Sequence, residues 1–368
     1  MYFSHILNFK NLTSRVLIAL SLTFLTFNSF AMQEIEAEKT IIEVEKGDVK
    51  HEEKFDPTVI ILEHIGDSHG WHLWGHTAIP LPVILFTPNG LDVFSSANLV
   101  DEHHEPTAYT SAKNTYLLQE GAIKILNADG KVDEELSAKV YDFSITKNVA
   151  SLFISVIVIL LIFSSLASAY KKREGKAPKG MQSWIEPIII FVRDDIAKPN
   201  IGYKFERFMP LLLTVFFFIW INNLMGLVPI FPGSANVTGN IAVTMVLSAI
   251  ILVIVNINGN KYYWAHIFKP DVPFWLLPIM WIVEIIGIFS KPFALMIRLF
   301  ANITAGHIIV LSLISLIFIF KTLAMAPVSV AFVVFMDILE LLVAFLQAFI
   351  FTMLAALFIG TAVEEHHH

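Results

Sequence analysis

Ser290-Lys291-Pro292-Phe293-Ala294-Leu295-Met296-Ile297-Arg298-Leu299-Phe300-Ala301-Asn302 decides how this chain is read. Arg298 stands inside a largely apolar run from Pro273 to Phe320. A guanidinium stays charged, so placing it in a bilayer costs roughly 3 kcal/mol on insertion scales and about 10 or more in simulations. A cation at that depth is therefore a functional-site hypothesis, and the question becomes which mobile negative charge it faces. The run is also too long. A helix needs about 20 residues to cross the hydrocarbon core, and no charged loop divides this stretch into two ordinary spans. Either one helix lies very oblique, or an in-plane segment from Pro273 to about Phe289 precedes the crossing.

Beyond the run, Lys321 to Pro327 reads as a short turn, and Val328 to Val363 as a second overlong apolar helix. The two make a tilted hairpin. Within it sit Glu284, Lys291, Arg298, Asn302, His307, Asp337, Glu340 and Gln347. Each is unfavourable in lipid unless it faces protein or water. Asn302 and Gln347 alone would pass as interhelical hydrogen-bonding groups, and Glu284, Lys291 and Asp337 as interfacial ion pairs. Arg298, His307 and Glu340 together demand a function. At 100° per residue, Arg298 and Asn302 share a helix face, while His307 points about 180° away. Glu340 and Gln347, seven apart, share a face of the partner helix. Histidine titrates near neutral pH. The set fits a proton path ending beside a fixed cation.

Upstream the chain is equally apolar: 55% hydrophobic and only 15% charged, against about 25% charged in an ordinary soluble domain. This is a mainly α, polytopic membrane protein. It has no cysteine, which excludes disulfides, iron–sulfur clusters and thiolate catalysis. Expected spans run over about 149–170, 208–229, 240–257, 273–320 and 328–363. Lys171, Lys172, Arg173, Lys176 and Lys179 after the first mark a cytoplasmic loop. Met181 to Ala197 mixes Trp184, Ile185, Ile188 and Ile189 with Glu186, Arg193, Asp194 and Asp195, so it reads as an amphipathic surface helix, interrupted at Pro187. By parity the C-terminus lies inside.

The N-terminal part differs in composition. Lys10 and Arg15, the apolar Val16 to Phe27, and Asn28-Ser29-Phe30-Ala31 read as a signal peptide over residues 1–31, with an uncleaved first span as the alternative; either way the residues after it are expected outside the cytoplasm. From Met32 to Ile145 there are 21 acidic and 8 basic residues. Residues 32–56 read as an acidic flexible tail. Residues 57–145 read as a small β-rich extracytoplasmic domain, with apolar runs at Leu81–Phe86, Tyr116–Leu118 and Ile123–Leu126, and turns at Pro88-Asn89-Gly90 and Asn127-Ala128-Asp129-Gly130. Residues 146–368 form the membrane domain. The stretch Glu63 to His76 carries four histidines and two acids, a spacing that would permit zinc or copper; no second motif of similar quality completes the set, His103-His104 being the one pair that could, and no metal or other cofactor is expected. Nothing suggests nucleic acid.

The segment from Lys291 to His307, KPFALMIRLFANITAGH, closely resembles the arginine segment of subunit a of the rotary F-type ATP synthase. LQAFIF at Leu346–Phe351 resembles that family's glutamine helix. NNLMGLVP at Asn222–Pro229 and ANVTGNIAVT at Ala235–Thr244 agree as well. The resemblance covers roughly residues 140–365, in order. It implies a non-catalytic subunit of a proton-transporting two-sector ATPase in the bacterial inner membrane. Its partners would be a ring of c subunits, the b subunits of the peripheral stalk, the rest of the complex and the lipid bilayer. Arg298 would face the ring carboxylate, with Gln347 opposite and Asn302 one turn on, and Glu284 would match a half-channel carboxylate. In the bacterial pattern a glutamate stands nine after the arginine and a histidine seven before the glutamine; here these are His307 and Glu340, exchanged as in mitochondrial relatives. On this reading His307, Glu340 and Glu284 wet the outer half-channel. A stand-alone proton-coupled transporter is the alternative, but the chain shows no internal repeat of the kind such proteins carry. An intramembrane protease would want His-Glu-x-x-His or a Gly-x-Ser motif, and the spans hold neither.

Overall fold

The computed structural model describes residues 66–74, 77–101, 106–119, 121–173, 176–228, 233, 235–270, 272–320 and 325–364. The expected signal peptide and acidic tail lie outside these residues. The described part is mainly helical, with a small β domain ahead of the membrane helices.

That domain is built from antiparallel strands. β1 (Gly70–Trp74) pairs with β2 (Thr77–Pro80). β3 (Pro82–Thr87) lies between β4 (Gly90–Ser95) and the short β8 (Tyr141–Asp142). β5 (Tyr109–Thr110), β6 (Thr115–Gln119) and β7 (Ala122–Leu126) form a third sheet. Alternation decides which side chains go inward. Val83 and Leu85 of β3 are fully buried, and they meet Tyr116, Ile123 and Ile125 of the other sheet, with Leu99 and Val140 closing the core.

One polar group interrupts this core. The Tyr116 hydroxyl donates to Asp92 Oδ2 at 2.6 Å, and Ser111 donates to the same oxygen at 2.8 Å. Burial, reinforced by the bond to Asp92, pushes the phenol up to about 12, so it remains a donor at any physiological pH. Tyr116→Phe removes one donor from a buried carboxylate. The β domain is expected to lose about 1–3 kcal/mol, read as a lower thermal midpoint of the purified chain.

The domain is tied to the first long helix, α1 (Lys147–Lys172). Asp67 accepts hydrogen bonds from the Thr146 hydroxyl (2.7 Å) and from the backbone N–H groups of Asn148 and Ser68 (both 3.0 Å). Lys147 N–H donates to Ser68 O at 2.8 Å. His69 Nε2 pairs with Asp142 Oδ2 at 2.9 Å. Asp67 and His69 thus sit in a structural junction, engaged with groups other than a metal, although both fall in the histidine-rich stretch. Among the described residues no cluster suits a metal ion.

After α1 come α2 (Met181–Phe191), six residues of wider π-type helix (Val192–Ala197) and a further turn, Lys198–Ile201. The segment expected to lie on the surface buries Ile189, Val192, Ile196 and Ala197, and the turn after it buries Ile201. Its polar face carries Asp194, held by Arg193 (2.7 Å) and Lys198 (2.5 Å). α3 (Phe205–Leu227), α4 (Ile241–Asn258) and the short α5 (Lys261–Phe268) come next. Asn240 caps α4 by accepting from Ala242 N–H, and Asn260 caps α5 by accepting from Tyr263 N–H.

The hairpin closes the chain. α6 (Leu277–Phe320) is one continuous helix of 44 residues, entered through a tight turn at Phe274–Leu276. No break separates an in-plane segment from a crossing. At 1.5 Å per residue the helix is about 66 Å long, twice the roughly 30 Å of hydrocarbon. α7 (Met325–Val363) returns alongside. Five helical stretches of the described residues are long and apolar enough to cross a membrane.

α7 approaches α3 and α6 along a seam of small residues: Ala344, Ala348, Ala355 and Ala356 are all buried. At its end Gly360 lies against the backbone of Asn200, so close that a Cβ would stand 1.8 Å from the Asn200 carbonyl oxygen. Gly360→Ala is therefore expected to force the helix off its seat. Overpacking costs about 1–3 kcal/mol, and immunoblots of membranes should show less of the assembled subunit.

Candidate functional site

Three contacts set the register of the antiparallel α6–α7 hairpin. Asn302 Nδ2 donates to Gln347 Oε1 at 2.9 Å. Lys291 Nζ lies 5.6 Å from the Phe358 ring centroid. Gly306 faces Glu340 so closely that a Cβ there would lie 2.6 Å from Glu340 Oε1. These fix the level of every candidate residue along the pair.

Arg298 lies on an open flank. Its neighbours Leu295 and Leu299 are buried in the main core, at 1% and 0% exposure, whereas Arg298 and Asn302 are exposed. Among the described residues no hydrogen bond or ion pair engages Arg298. The side chain is thus not a structural cation of this chain. It is held out on a rigid helix toward whatever covers that flank.

Beyond Asn302, on the α7 N-terminal side, a polar group gathers between α6, α7, α3 and the segment entering α4. It contains His307 and Glu340. The position a Gly226 Cβ would take is 3.8 Å from His307 Nε2 and 3.5 Å from Ala235 O. Asn223 Nδ2 donates to Ala344 O at 3.3 Å, and Thr238 donates to Asn223 Oδ1 at 2.6 Å. Glu340 Oε1 and Gln347 Nε2 are buried and make no hydrogen bond. Bare polar atoms of this kind are usually met by water.

Glu284 does not join them. It lies 14 residues before Arg298, about 21 Å along the helix axis, at the opposite end of the hairpin. There it lines a cavity of about 290 Å³ with Tyr262, Tyr263, His266, Lys291 and Glu364. His266 Nδ1 is 3.7 Å from Glu284 Oε1. This corrects the expectation that Glu284 shares a compartment with His307 and Glu340. Helical-wheel arithmetic gives the face but not the level, and α6 is long enough to carry Glu284 to the other end. Burial and the nearby Glu284 charge raise the Tyr263 hydroxyl above its ordinary value, so it stays a neutral donor.

Sequence reasoning missed His266, Tyr263 and Glu364 as lining groups, and Gly306 as the small residue that seats Glu340. No local signal marks them, because each acts across elements far apart in the chain. The Asn222-Asn223 pair inside an apolar span was a usable signal.

The arrangement is a cavity around Glu284 near the start of α6 and a group of buried polar side chains around His307 and Glu340 farther along it, with Arg298, unpaired among the described residues, at a level between them. A family model described as ATP synthase A chain matches residues 149–360, more than half of the chain. The chain belongs to the ATP synthase subunit a family. It is 49% identical over 233 residues to ATP synthase subunit a of Chloroherpeton thalassium, covering 62% of this chain and 69% of that one. ATP synthase subunit a 2 of Chlorobaculum tepidum is 47% identical over 233 residues, covering 61% and 65%, and ATP synthase subunit a of Myxococcus xanthus 43% over 234 residues, covering 62% and 75%. The matched region spans about two thirds or more of each relative. Residues 60–143, the β domain, match a separate model described as a domain of unknown function (DUF8433). In this chain a subunit a membrane domain therefore carries a β domain welded to the head of its first helix.

Proposed function

We propose that this chain is the proton-conducting stator subunit of a rotary F-type ATP synthase, with Arg298 facing the carboxylates of a rotating c ring. Membership of the subunit a family supports the role in the complex. The observation that carries the arginine's part is its position: exposed, unpaired among the described residues, and between two separate polar compartments.

The mechanism rests on electrostatics. A ring carboxylate facing lipid is neutral and protonated. Beside Arg298 it is stabilised as an anion, because an opposite charge within a few Å favours ionisation. Protons therefore leave on one side of the arginine and reload on the other. The His307–Glu340 compartment is the outer half-channel, and the Glu284 cavity is the inner one. A guanidinium between them disfavours a passing proton, so rotation becomes the only route. Each charge moved through 100 mV supplies about 2.3 kcal/mol. His307 and Glu340 act as a coupled relay, with the acid and the imidazole on opposite helices. The Asn302–Gln347 bond fixes the two helices at the level of the arginine.

Lys171, Lys172, Arg173, Lys176 and Lys179 support a cytoplasmic position for the loop after α1. The β domain is then outside and the C-terminus inside. The stalk b subunits are the natural partners of the remaining uncovered helix faces.

Because the chain has no cysteine, the ring-facing flank can be mapped by cross-linking in the assembled complex. Ile297→Cys, 39% exposed beside Arg298, is expected to form a disulfide with a cysteine placed next to the ring carboxylate. Leu299→Cys, fully buried on the other face, is expected to form none. Equal cross-linking from both positions, or no ring in the purified complex, would overturn the assignment.

A further inference from the structure

The segment entering α4, Ala235 to Asn240, is the floor of the β domain and the wall of the His307 compartment. Asn236 in this segment is 4% exposed, yet neither its Oδ1 nor its Nδ2 has a hydrogen-bond partner. A primary amide offers two donors and two acceptor sites, and one left wholly bare in the interior is strongly disfavoured. The amide lies over Gly239, where a Cβ would come within 2.1 Å of both its polar atoms. The Gly239 carbonyl in turn accepts from the Thr304 hydroxyl at 3.5 Å, one helical turn before His307. Ala235 O and His307 Nε2 both flank Gly226.

Over this segment sits Trp71 of β1, 2% exposed. It belongs to one apolar cluster with Leu152 of α1, Ala235, Val237 and Val243, with Ile79 of β2 and Phe218 of α3 packed against it. The residues on either side of Asn236 are therefore covered by the β domain, while Asn236 itself is unsatisfied.

We propose that Asn236 holds a water-filled antechamber through which protons reach His307, and that the β domain, through Trp71, is its roof. The additional domain then shapes the route to the relay. It narrows the outer approach to a passage for water and hydronium, and it holds Ala235 to Thr238 at a fixed distance from His307. Asn236 supplies donor and acceptor together, so its waters can orient either way, which a relay requires. The inference rests on the reading of His307 as the outer relay.

The test uses the assembled complex in membrane vesicles. Asn236→Leu keeps the size and removes the polar atoms; ATP-driven proton pumping is expected to fall about tenfold, while Asn236→Ser stays within about threefold of wild type. Asn236→Cys in the otherwise cysteine-free chain is expected to react promptly with silver ion. With a bulky, membrane-impermeant thiol reagent it is expected to react slowly, and about tenfold faster when Trp71→Ala is added. Wild-type pumping by Asn236→Leu, or a cysteine inert to silver ion, would overturn the antechamber. Fast reaction with the bulky reagent while Trp71 is present would overturn the roof. His307→Ala is run in parallel. If it pumps normally the relay reading fails, whereas lost pumping in His307→Ala with normal pumping in Asn236→Leu defeats this inference alone.

Discussion

Arg298→Ala is expected to abolish ATP-driven proton pumping and proton-driven ATP synthesis in inverted vesicles, by about 100-fold or more, while the complex still assembles. The structure explains why both halves of that result belong together. Leu295, Met296 and Leu299 bury this turn of α6, and Arg298 contributes nothing to that packing. Its removal leaves the hairpin intact, so subunit levels and ATP hydrolysis by the soluble sector are expected to persist. On the proposed reading, what is lost is the charge that stabilises a deprotonated ring carboxylate at the subunit surface. The barrier between the two compartments is lost with it, so passive proton leak through the membrane sector is expected to rise as coupled pumping disappears. Arg298→Lys is expected to recover little, because a compact ammonium does not reproduce a planar, always charged fork. Transport at a rate comparable to wild type would make the arginine structural and favour a self-contained transporter.

The second large effect is expected for Glu340→Gln. Glutamine preserves the shape of a side chain that is seated against Gly306, with one oxygen buried and unbonded. Packing should survive, and what disappears is the capacity to bind and release a proton. A positioned acid–base group contributes about 100- to 10,000-fold, and pumping is expected to fall by at least the lower figure. His307→Gln should give a loss of the same order, and the double variant little more than either alone, since the two form one relay. Additive losses would mean that they serve separate steps.

Much of this was legible in the sequence, for physical reasons. Strands β3, β6 and β7 announced themselves by their short apolar runs, helped by the turn residues Pro88-Asn89-Gly90 after β3 and Asn127-Ala128-Asp129-Gly130 after β7. The long hairpin was legible because no charged loop interrupts about 48 residues, and Arg298 because a charge in such a run has no ordinary explanation. The motifs put Gln347 on the helix facing Arg298 and Asn302 one turn on, but the hydrogen bond between Asn302 and Gln347 appears only in the structure. What could not be read was anything depending on distance between elements. Glu284 shares a helical face with Arg298, but only the uninterrupted course of α6 shows that it opens on a different compartment. The wider helical turns at Val192–Ala197 have no residue signature. Of the histidine-rich stretch, Glu63, His64, His76 and the His72 side chain lie outside the described residues; within it, Trp71 fills a core and Asp67 fastens the domain to α1. Gly306 and Gly360 look like any helical glycine until the partner backbone or carboxylate is seen a few ångströms away.

The openness of α6 has a consequence for how the protein is made. Only 11% of its most apolar window is buried within the chain, so this helix reaches its final environment only when neighbours arrive. A newly inserted copy without them carries Arg298 and Asn302 on an uncovered flank and a helix too long for the bilayer, each disfavoured by up to a few kcal/mol in lipid. Such an orphan is a natural substrate for membrane-bound proteases. Accumulation of the chain is then expected to follow the supply of whatever covers this helix, read as a lower level in immunoblots of membranes from cells in which the neighbouring subunits are not made.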